Sequence, residues 1–224
     1  MSYQVFQLLQ REELEAVLSY ISWQSFSDGG VTAQGLARAV KHNLQIERTG
    51  PELSEADQIL ISALQRNREF QDFAFPKRLM LPMFSRYDPG MEYGPHIDDA
   101  IFSSRNGEPV RSDIAVTIFL NPPASYDGGE LVVEMHSGAE EIKLDAGEAV
   151  AYSAKHIHRV NPVTRGVRLA AITWAQSTVR DESLRAILFD LGQAIARSGA
   201  AGDRNLTLLL GKSYHNLLRY AAEP

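Results

Sequence analysis

Two short clusters of histidine and aspartate could bind a metal ion. His96 and Asp98 form the first cluster, and His156 and His158 form the second, about sixty residues later in the chain. Side chains two positions apart on a β-strand point to the same face of the sheet. Each cluster can therefore direct two ligands to one side, and a fold that brings the two strands together would collect them around one ion.

The types of these residues indicate which metal they would bind. Two histidines and one carboxylate are the ligand set of non-haem iron(II) oxygenases, which leave three positions open for a cosubstrate and dioxygen, whereas zinc sites are more often tetrahedral. The chain has no cysteine, which excludes disulfides, zinc-thiolate sites, iron–sulfur clusters and cysteine nucleophiles. We therefore predict iron at His96, Asp98 and one histidine of the second cluster, although ordinary packed residues also show this spacing. Strand geometry alone does not distinguish His156 from His158.

Arg168 is a candidate for binding a negatively charged cosubstrate. It comes ten residues after His158, beyond a turn at 161–166 and at the start of an apolar run. A cation in such a strand is costly to bury unless it is paired, and a guanidinium group matches a carboxylate with two hydrogen bonds. We expect a dicarboxylate to reach from Arg168 to the metal; the alternative is an ordinary salt bridge.

The middle of the chain has the pattern of short β-strands separated by turn residues. The predicted strands cover residues 79–88, 92–98, 113–121, 130–136, 140–144, 148–153, 157–161 and 167–176. No helical pattern lies between them, which argues against a parallel sheet with crossover helices. Eight short strands in succession fit a double-sheet jelly roll.

Helical patterns flank this strand-rich part. Apolar residues at helical spacing predict N-terminal helices over 14–21, 36–44 and 60–64, the last beginning at a capping box at 54–57. Two more apolar stripes predict C-terminal helices over 184–195 and 206–217, which would either cover a sheet or form a homo-oligomer interface. The glycine-rich segment 23–30 is predicted to be either a lid or a plain connection.

The sequence thus predicts an α+β fold that is mainly β, with flanking helices around a jelly-roll core. Three regions are expected: an N-terminal helical region at 1–77 packing on the core, the core itself at 78–177, and a C-terminal helical extension at 178–224.

The charge and hydropathy of the chain limit its partners. The formal net charge is −6 and the sequence pI is about 5.5, with no basic cluster of the kind that nucleic-acid binding requires. No apolar run approaches the roughly 20 residues that span a bilayer, and the N-terminus lacks the pattern of a signal peptide. We therefore expect a cytoplasmic protein without nucleic-acid or membrane partners.

Longer stretches around the candidate ligands resemble a known family. Residues 86–98 (RYDPGMEYGPHID) and 158–168 (HRVNPVTRGVR) resemble the PKHD-type hydroxylases, bacterial relatives of the prolyl 4-hydroxylase catalytic domain. Further blocks that resemble this family lie at 28–33, 41–45, 126–131 and 214–219, so that the resemblance covers nearly the whole chain.

The resemblance implies a double-stranded β-helix with iron(II) at His96, Asp98 and His158, and 2-oxoglutarate at Arg168. It implies an enzyme that uses dioxygen to convert 2-oxoglutarate to succinate and carbon dioxide while hydroxylating an unidentified small-molecule or peptidyl substrate. Ascorbate is the reductant customary in this class, and some members are linked to iron uptake. His156 departs from the family, which more usually has a small polar residue there.

By the same resemblance, Tyr87 and Tyr93 are candidates for lining the cosubstrate pocket. Two alternative functions stay open on the sequence. One is a cupin-like metalloenzyme that works without 2-oxoglutarate and uses His156 and His158 as a ligand pair. The other is a non-enzymatic protein of the same fold that senses iron or a metabolite, since a fold alone does not fix a function.

Overall fold

A computed structural model of the chain describes residues 3–48, 53–104 and 106–223. The helices are α1 (Arg11–Ser22), α2 (Gly35–Ala39), α3 (Glu55–Arg66), α4 (Arg68–Ala74), α5 (Glu182–Ala200) and α6 (Arg204–Ala221). The strands are β1 (Tyr3–Gln7), β2 (Phe26–Asp28), β3 (Lys41–His42), β4 (Leu44–Ile46), β5 (Pro76–Leu79), β6 (Met83–Tyr87), β7 (Glu92–His96), β8 (Ile101–Ser103), β9 (Pro109–Arg111), β10 (Ile114–Phe119), β11 (Tyr126–Gly128), β12 (Leu131–Met135), β13 (Gly138–Ile142), β14 (Glu148–Ser153), β15 (His158–Val160), β16 (Val163–Gly166) and β17 (Arg168–Ser177).

Two main antiparallel sheets form the core of the fold. The larger sheet has the strand order β1-β14-β10-β17-β6-β4-β2, with β5 also pairing to β17, and the smaller sheet has the order β13-β12-β15-β7-β3. The strands β8 and β9, and likewise β11 and β16, form small separate ladders. Mostly antiparallel strands in two facing sheets, with helices around them, confirm the predicted α+β jelly roll.

The central strand β10 supports two hydrophobic cores at once. Alternate side chains of a strand point to opposite faces of the sheet. Ile114, Val116 and Ile118 pack among the residues of the helices that cover the larger sheet, whereas Ala115 and Phe119 pack with residues of the smaller sheet. Burying one such aliphatic side chain contributes about 1.5–3 kcal/mol, so β10 stabilises both layers.

The N-terminal helices cover the outer face of the larger sheet. Val17 and Ile21 of α1, Leu60 and Leu64 of α3, and Phe70 of α4 are buried in that core. The predicted first helix and the predicted capping box are both confirmed. The side chain of Ser54 accepts a hydrogen bond from the amide of Asp57, and the carboxylate of Asp57 accepts one from the amide of Ser54.

The N-terminal region, predicted to be helical, also contributes four strands to the sheets, which corrects that prediction. β1 pairs with β14 along its full length, and β2, β3 and β4 extend the far edges of the two sheets. The predicted helix over 36–44 is wrong in part, because α2 ends at Ala39 and Leu44 begins β4. Strands of two to five residues are too short to show a clear alternation. The boundaries at 77 and 177 stay predictions.

Every strand predicted in the middle of the chain is present, and β17 covers nearly the whole run predicted at 167–176. The run predicted at 79–88 is shorter in the structure, where β5 ends at Leu79 and β6 begins at Met83. The strands β8, β9, β11 and β16 were not predicted. β11 and β16 lie in segments that were interpreted as turns, and β8 and β9 are only three residues long.

The two predicted C-terminal helices are confirmed. Leu188 and Phe189 of α5 are buried, whereas Leu206, Leu208 and Leu209 of α6 are exposed. Self-association through these helices stays a prediction. Among the described residues, no helix is long and apolar enough to cross a membrane.

An ion pair between a buried carboxylate and a partly exposed arginine connects α3 to the segment after β4. Asp57 is fully buried, and the guanidinium group of Arg48 donates to both of its carboxylate oxygens at 2.7 Å. Burial raises the pKa of Asp57, but the bonds from Arg48 and Ser54 outweigh burial, so that this pKa lies below its usual value. The pair therefore contributes stability above the unfolded-state pKa of about 4, and the contribution is lost as the pH falls through the folded-state pKa.

We expect Arg48→Met to lower the free energy of unfolding by about 3 kcal/mol at pH 7, because it leaves a buried carboxylate without its counterion. Urea denaturation measures this loss. Arg68→Met is the matched control, since Arg68 forms an exposed pair with Asp72, and such pairs contribute less than about 1 kcal/mol. The difference in the free energy of unfolding between Arg48→Met and the unchanged chain should become smaller below about pH 4, where Asp57 is protonated in both unfolded chains. Equal stabilities of the two variants would contradict this assignment.

Candidate active site

A cavity of about 230 Å³ lies between the two main sheets. Its lining includes six of the candidate site residues, Tyr87, Tyr93, His96, Asp98, His158 and Arg168, but not the seventh candidate, His156. These residues come from both sheets, so the cavity exists only when the jelly roll has closed.

Three of these side chains form a cluster that could hold one metal ion. His96 ends β7 and His158 begins β15, and the two residues lie opposite each other in the β7–β15 ladder. Asp98 follows in the segment after β7, with its Oδ1 3.7 Å from Nε2 of His158. One ligand atom from each of the three residues lies within 4.8 Å of the others.

Hydrogen bonds to the backbone fix the orientation of both imidazole rings. Nδ1 of His96 donates to the carbonyl of Gly94 at 2.9 Å, and Nδ1 of His158 donates to the carbonyl of His156 at 3.0 Å. In each ring, Nε2 then carries the lone pair that a metal requires. Burial, with the neighbouring His158, lowers the pKa of His96 to about 3, which keeps this ring neutral.

The carboxylate of Asp98 is oriented by a residue that the sequence analysis did not select. Nε1 of Trp174, on β17, donates to Oδ2 of Asp98 at 2.8 Å. This bond leaves Oδ1 on the side of His158. In the sequence, Trp174 reads as one more apolar residue of a buried strand. The available signal was its indole N–H, which usually finds a polar partner when it is buried.

Arg168 lies at the bottom of the cavity and is 1% exposed. It is the first residue of β17 and pairs with Tyr87 on β6. Its guanidinium carbon lies 5.1 Å from the ring centroid of Tyr87 and 5.5 Å from that of Phe119. No described residue forms a hydrogen bond with any of its three side-chain nitrogens. A buried cation of this kind fits a carboxylate ligand, which would supply both the charge and the acceptors.

The path of the Arg168 side chain requires a glycine in the neighbouring turn. Gly129 has a φ of 67°, and a Cβ atom built there would lie 3.0 Å from Cδ of Arg168. A larger residue would therefore crowd the arginine as well as strain the backbone. In the sequence, Gly129 has no visible role beyond its place in the block at 126–131 that resembles the hydroxylase family.

The two tyrosines belong to one apolar cluster in the cavity wall but have different polar neighbours. Tyr87 is buried beside Arg168, whereas the ring of Tyr93 stacks on the imidazole of His96 with centroids 3.5 Å apart. Burial raises the pKa of both phenols, so both are neutral near pH 7. Tyr87 thus lies beside Arg168, and Tyr93 packs against the cluster of His96, Asp98 and His158.

Comparison with known proteins decides the family. The sequence model of the 2OG-Fe(II) oxygenase superfamily matches residues 82–176, and that of the PKHD-type hydroxylase C-terminal domain matches residues 182–223. A PKHD-type hydroxylase from Burkholderia ambifaria is 44% identical to this chain, covering 88% of the chain and 87% of the relative. One from Paraburkholderia xenovorans is 40% identical over 97% of each. The chain belongs to the PKHD-type hydroxylase family.

The fold of this PKHD-type hydroxylase is similar to that of solved oxygenases. A prolyl-4-hydroxylase from Pseudomonas putida has a TM-score of 0.59 at 19% identity, covering 79% of this chain and 92% of the other. HygX from Streptomyces hygroscopicus, solved with nickel and 2-oxoglutarate bound, has a TM-score of 0.54 at 12% identity, covering 79% of this chain and 83% of HygX. At these identities the likeness concerns the fold.

Family membership confirms the predicted enzyme class. The superfamily is that of oxygenases using iron(II), 2-oxoglutarate and dioxygen, and this chain carries a cluster of two histidines and an aspartate suited to iron. The chain is therefore a dioxygenase of the hydroxylase type. This finding decides against the cupin-like enzyme and against the non-enzymatic sensor.

The structure places two further sequence candidates outside the cluster. His156 is not part of it, and its ring faces that of His136, with centroids 6.2 Å apart. Among the described residues, those of segment 23–30 do not line the cavity, and Trp23 is 84% exposed. Residues 32–37, just after that segment, contribute to the cavity wall instead.

One buried cation in this wall was not singled out from the sequence. Lys41 begins β3 and lines the cavity, and its Nζ donates to Oγ1 of Thr32 at 2.7 Å. Burial lowers the pKa of Lys41 to about 8, partly offset by Asp98 and Asp28. In the sequence, Lys41 lay in a block that resembles the family but had no assigned role.

We expect Trp174→Phe to raise the dissociation constant for iron(II) about tenfold or more, because outer hydrogen bonds orient metal-ligating side chains. The variant keeps an aromatic ring and loses only the donor to Asp98. Anaerobic titration with iron(II), followed by calorimetry, measures the change. Phe102→Leu is the control, since Phe102 packs against Trp174 without a hydrogen bond to the carboxylate. If both variants bind iron(II) as the unchanged protein does, Trp174 has no part in orienting Asp98.

Proposed function

We propose that this PKHD-type hydroxylase hydroxylates a C–H bond of a small-molecule or peptidyl substrate and converts 2-oxoglutarate to succinate and carbon dioxide in the same turnover. Iron(II) would be held by His96, Asp98 and His158. The observation that carries the proposal is Arg168, a buried cation whose guanidinium nitrogens have no partner among the described residues and which lies in the same cavity as the three ligands.

The three proposed ligands suit iron(II) in charge and in donor type. Two neutral imidazoles and one carboxylate leave further positions on the ion for other ligands. Bound iron would supply the activation of dioxygen, and the protein supplies orientation and enclosure. The hydrogen bonds from His96, His158 and Trp174 hold the three donor atoms in place before any ion arrives.

Arg168 would bind the distal carboxylate of 2-oxoglutarate. A charge-assisted pair inside the protein is strong, because little water competes for the groups. Tyr87 closes one side of the guanidinium group, and apolar side chains such as Leu131 and Ile172 line the cavity nearby. These residues exclude water from the cosubstrate and so orient its other end towards the metal ligands.

Two further parts of the proposal are supported by the family resemblance alone: ascorbate as the accessory reductant and a role linked to iron uptake. We also propose a cytoplasmic location, which is supported by the sequence pattern alone. Omission of ascorbate is expected to shorten the period over which succinate accumulates, because the reductant returns oxidised iron to iron(II).

Arg168→Met is expected to raise the dissociation constant for 2-oxoglutarate by about thirtyfold or more. Loss of one partner of a buried hydrogen-bonded charge pair typically costs about 2–5 kcal/mol. Affinity for the metal should stay unchanged. Anaerobic titration of the iron-loaded protein with 2-oxoglutarate, followed by its visible charge-transfer band, measures the effect.

The matched control is Arg165→Met, because Arg165 pairs with Asp127 on the surface and lies outside the cavity. Arg168→Lys keeps the charge without the planar fork and should bind with intermediate affinity. An unchanged affinity in Arg168→Met would reject Arg168 as the anchor. Absence of the band in the unchanged protein would reject 2-oxoglutarate chelation itself.

A second pair of variants tests which histidine of the second cluster binds iron. His158→Gln should lose iron(II) binding and succinate formation, because it removes the ligand atom 3.7 Å from Asp98. His156→Gln should retain both, since its backbone carbonyl, which accepts from His158, is unaffected. Metal content and succinate formation of the two proteins are the measurements. The reverse pattern would show that His156 is the ligand.

A further inference from the structure

Lys41 is a second buried cation that lines the cavity with Arg168. Its side chain is 5% exposed, and β3 places it at the edge of the smaller sheet, whereas Arg168 belongs to the larger sheet. Lys41 lies opposite Tyr93 in the β3–β7 ladder. Its Nζ is 5.2 Å from the ring centroid of Tyr93, and that ring stacks on His96. A single aromatic ring thus contacts both the ammonium group and a proposed iron ligand.

Within residues 3–48, 53–104 and 106–223, no carboxylate forms a direct ion pair with the ammonium group of Lys41, and the more distant charges of Asp98 and Asp28 offset its burial only in part. Its contacts are the hydroxyl of Thr32 at 2.7 Å and the face of the Tyr93 ring. An ammonium group has three N–H donors, and Thr32 accepts from only one of them. A buried charge is costly without an ion partner, so the remaining donors favour an anion in the cavity.

A chain of hydrogen bonds fixes the direction in which Lys41 donates. The hydroxyl proton of Thr32 points to one of two acceptors, Oε1 of Gln45 at 2.7 Å or the carbonyl of Gly29 at 3.0 Å. The hydroxyl oxygen therefore accepts from Lys41. Nε2 of Gln45 in turn donates to Oγ of Ser85 at 3.1 Å. This series of hydrogen bonds begins at Ser85 on β6 of the larger sheet and ends at the ammonium group of Lys41. The ammonium group is therefore held in one position.

We propose that Lys41 binds a carboxylate of the prime substrate, so that this hydroxylase acts on acids in preference to their neutral counterparts. The inference rests on the proposed function, because it assigns Arg168 to 2-oxoglutarate and leaves Lys41 for the other ligand. A carboxylate on Lys41 would lie beside Tyr93 and so hold the substrate against the side of the cavity where His96 lies. Lys41 is thus a specificity-determining residue of the substrate subsite.

Binding measurements on the assembled protein test this assignment. Manganese(II)-loaded protein, saturated with 2-oxoglutarate, is titrated by calorimetry with a panel of N-acetyl amino acids and with their carboxamides. We expect the tightest-binding acid to bind about tenfold or more tightly than its amide, since a hydrogen bond to a charged group is worth at least that ratio. Lys41→Met should remove this preference, and Lys41→Arg should retain most of it.

Lys212→Met is the control for the loss of one positive charge, because Lys212 is an exposed residue of α6. It should bind acids and amides as the unchanged protein does. Equal binding of acids and amides to the unchanged protein, or failure of every acid to bind, would overturn the inference. So would a preference for acids that persists in Lys41→Met.

Two other outcomes separate this inference from its alternatives. If Lys41→Met weakens the binding of acids and amides alike, Lys41 has a structural role, and the inference is wrong. If Lys41→Met raises the dissociation constant for 2-oxoglutarate itself, Lys41 belongs to the cosubstrate site, which also overturns the inference. Absence of 2-oxoglutarate binding in the unchanged protein would overturn the proposed function and this inference together, whereas intact cosubstrate binding without a preference for acids overturns the inference alone.

Discussion

The register between β7 and β15 is the constraint on which the site depends. His96 and His158 lie opposite each other in this ladder, although about sixty residues separate them in the chain. A slip of one position would turn every side chain of a strand to the other face of the sheet and remove His158 from the cavity. On its other side, β15 pairs with β12, where Val133 lies opposite His158. The register is thus fixed from both neighbours.

The larger sheet supplies further side chains to the cavity that is also lined by the histidines of the smaller sheet. A single strand, β17, carries Arg168 at its first position and Trp174 further along, and these residues contact opposite ends of the cavity. The bond from Trp174 to Asp98 crosses between the two layers. The same contact therefore links the spacing of the sheets to the position of Asp98, one of the proposed metal ligands. A change in packing between the sheets would be transmitted directly to Asp98.

The sequence was sufficient for the residues whose chemistry is unusual in their surroundings. A histidine and an aspartate two positions apart, and an arginine in an apolar strand, stand out because each would be costly to bury without a partner. Trp174 and Lys41 do not stand out, since their roles depend on partners that folding brings from distant elements. The strands β1 to β4 were missed for a different reason. Their pairing is decided by the edges of sheets already formed, and a short segment carries little pattern of its own.

The pairing of β1 with β14 has a consequence for the synthesis of the chain. Tyr3 lies opposite Tyr152, so the first described strand leaves the ribosome long before its partner exists. Until then, β1 and the apolar faces of α1 and α3 have no sheet to cover, and such contacts between distant parts of a chain slow folding. The proposed metal site is also incomplete before His158 has emerged. If these residues hold iron as proposed, the metal is loaded only after most of the polypeptide has been made.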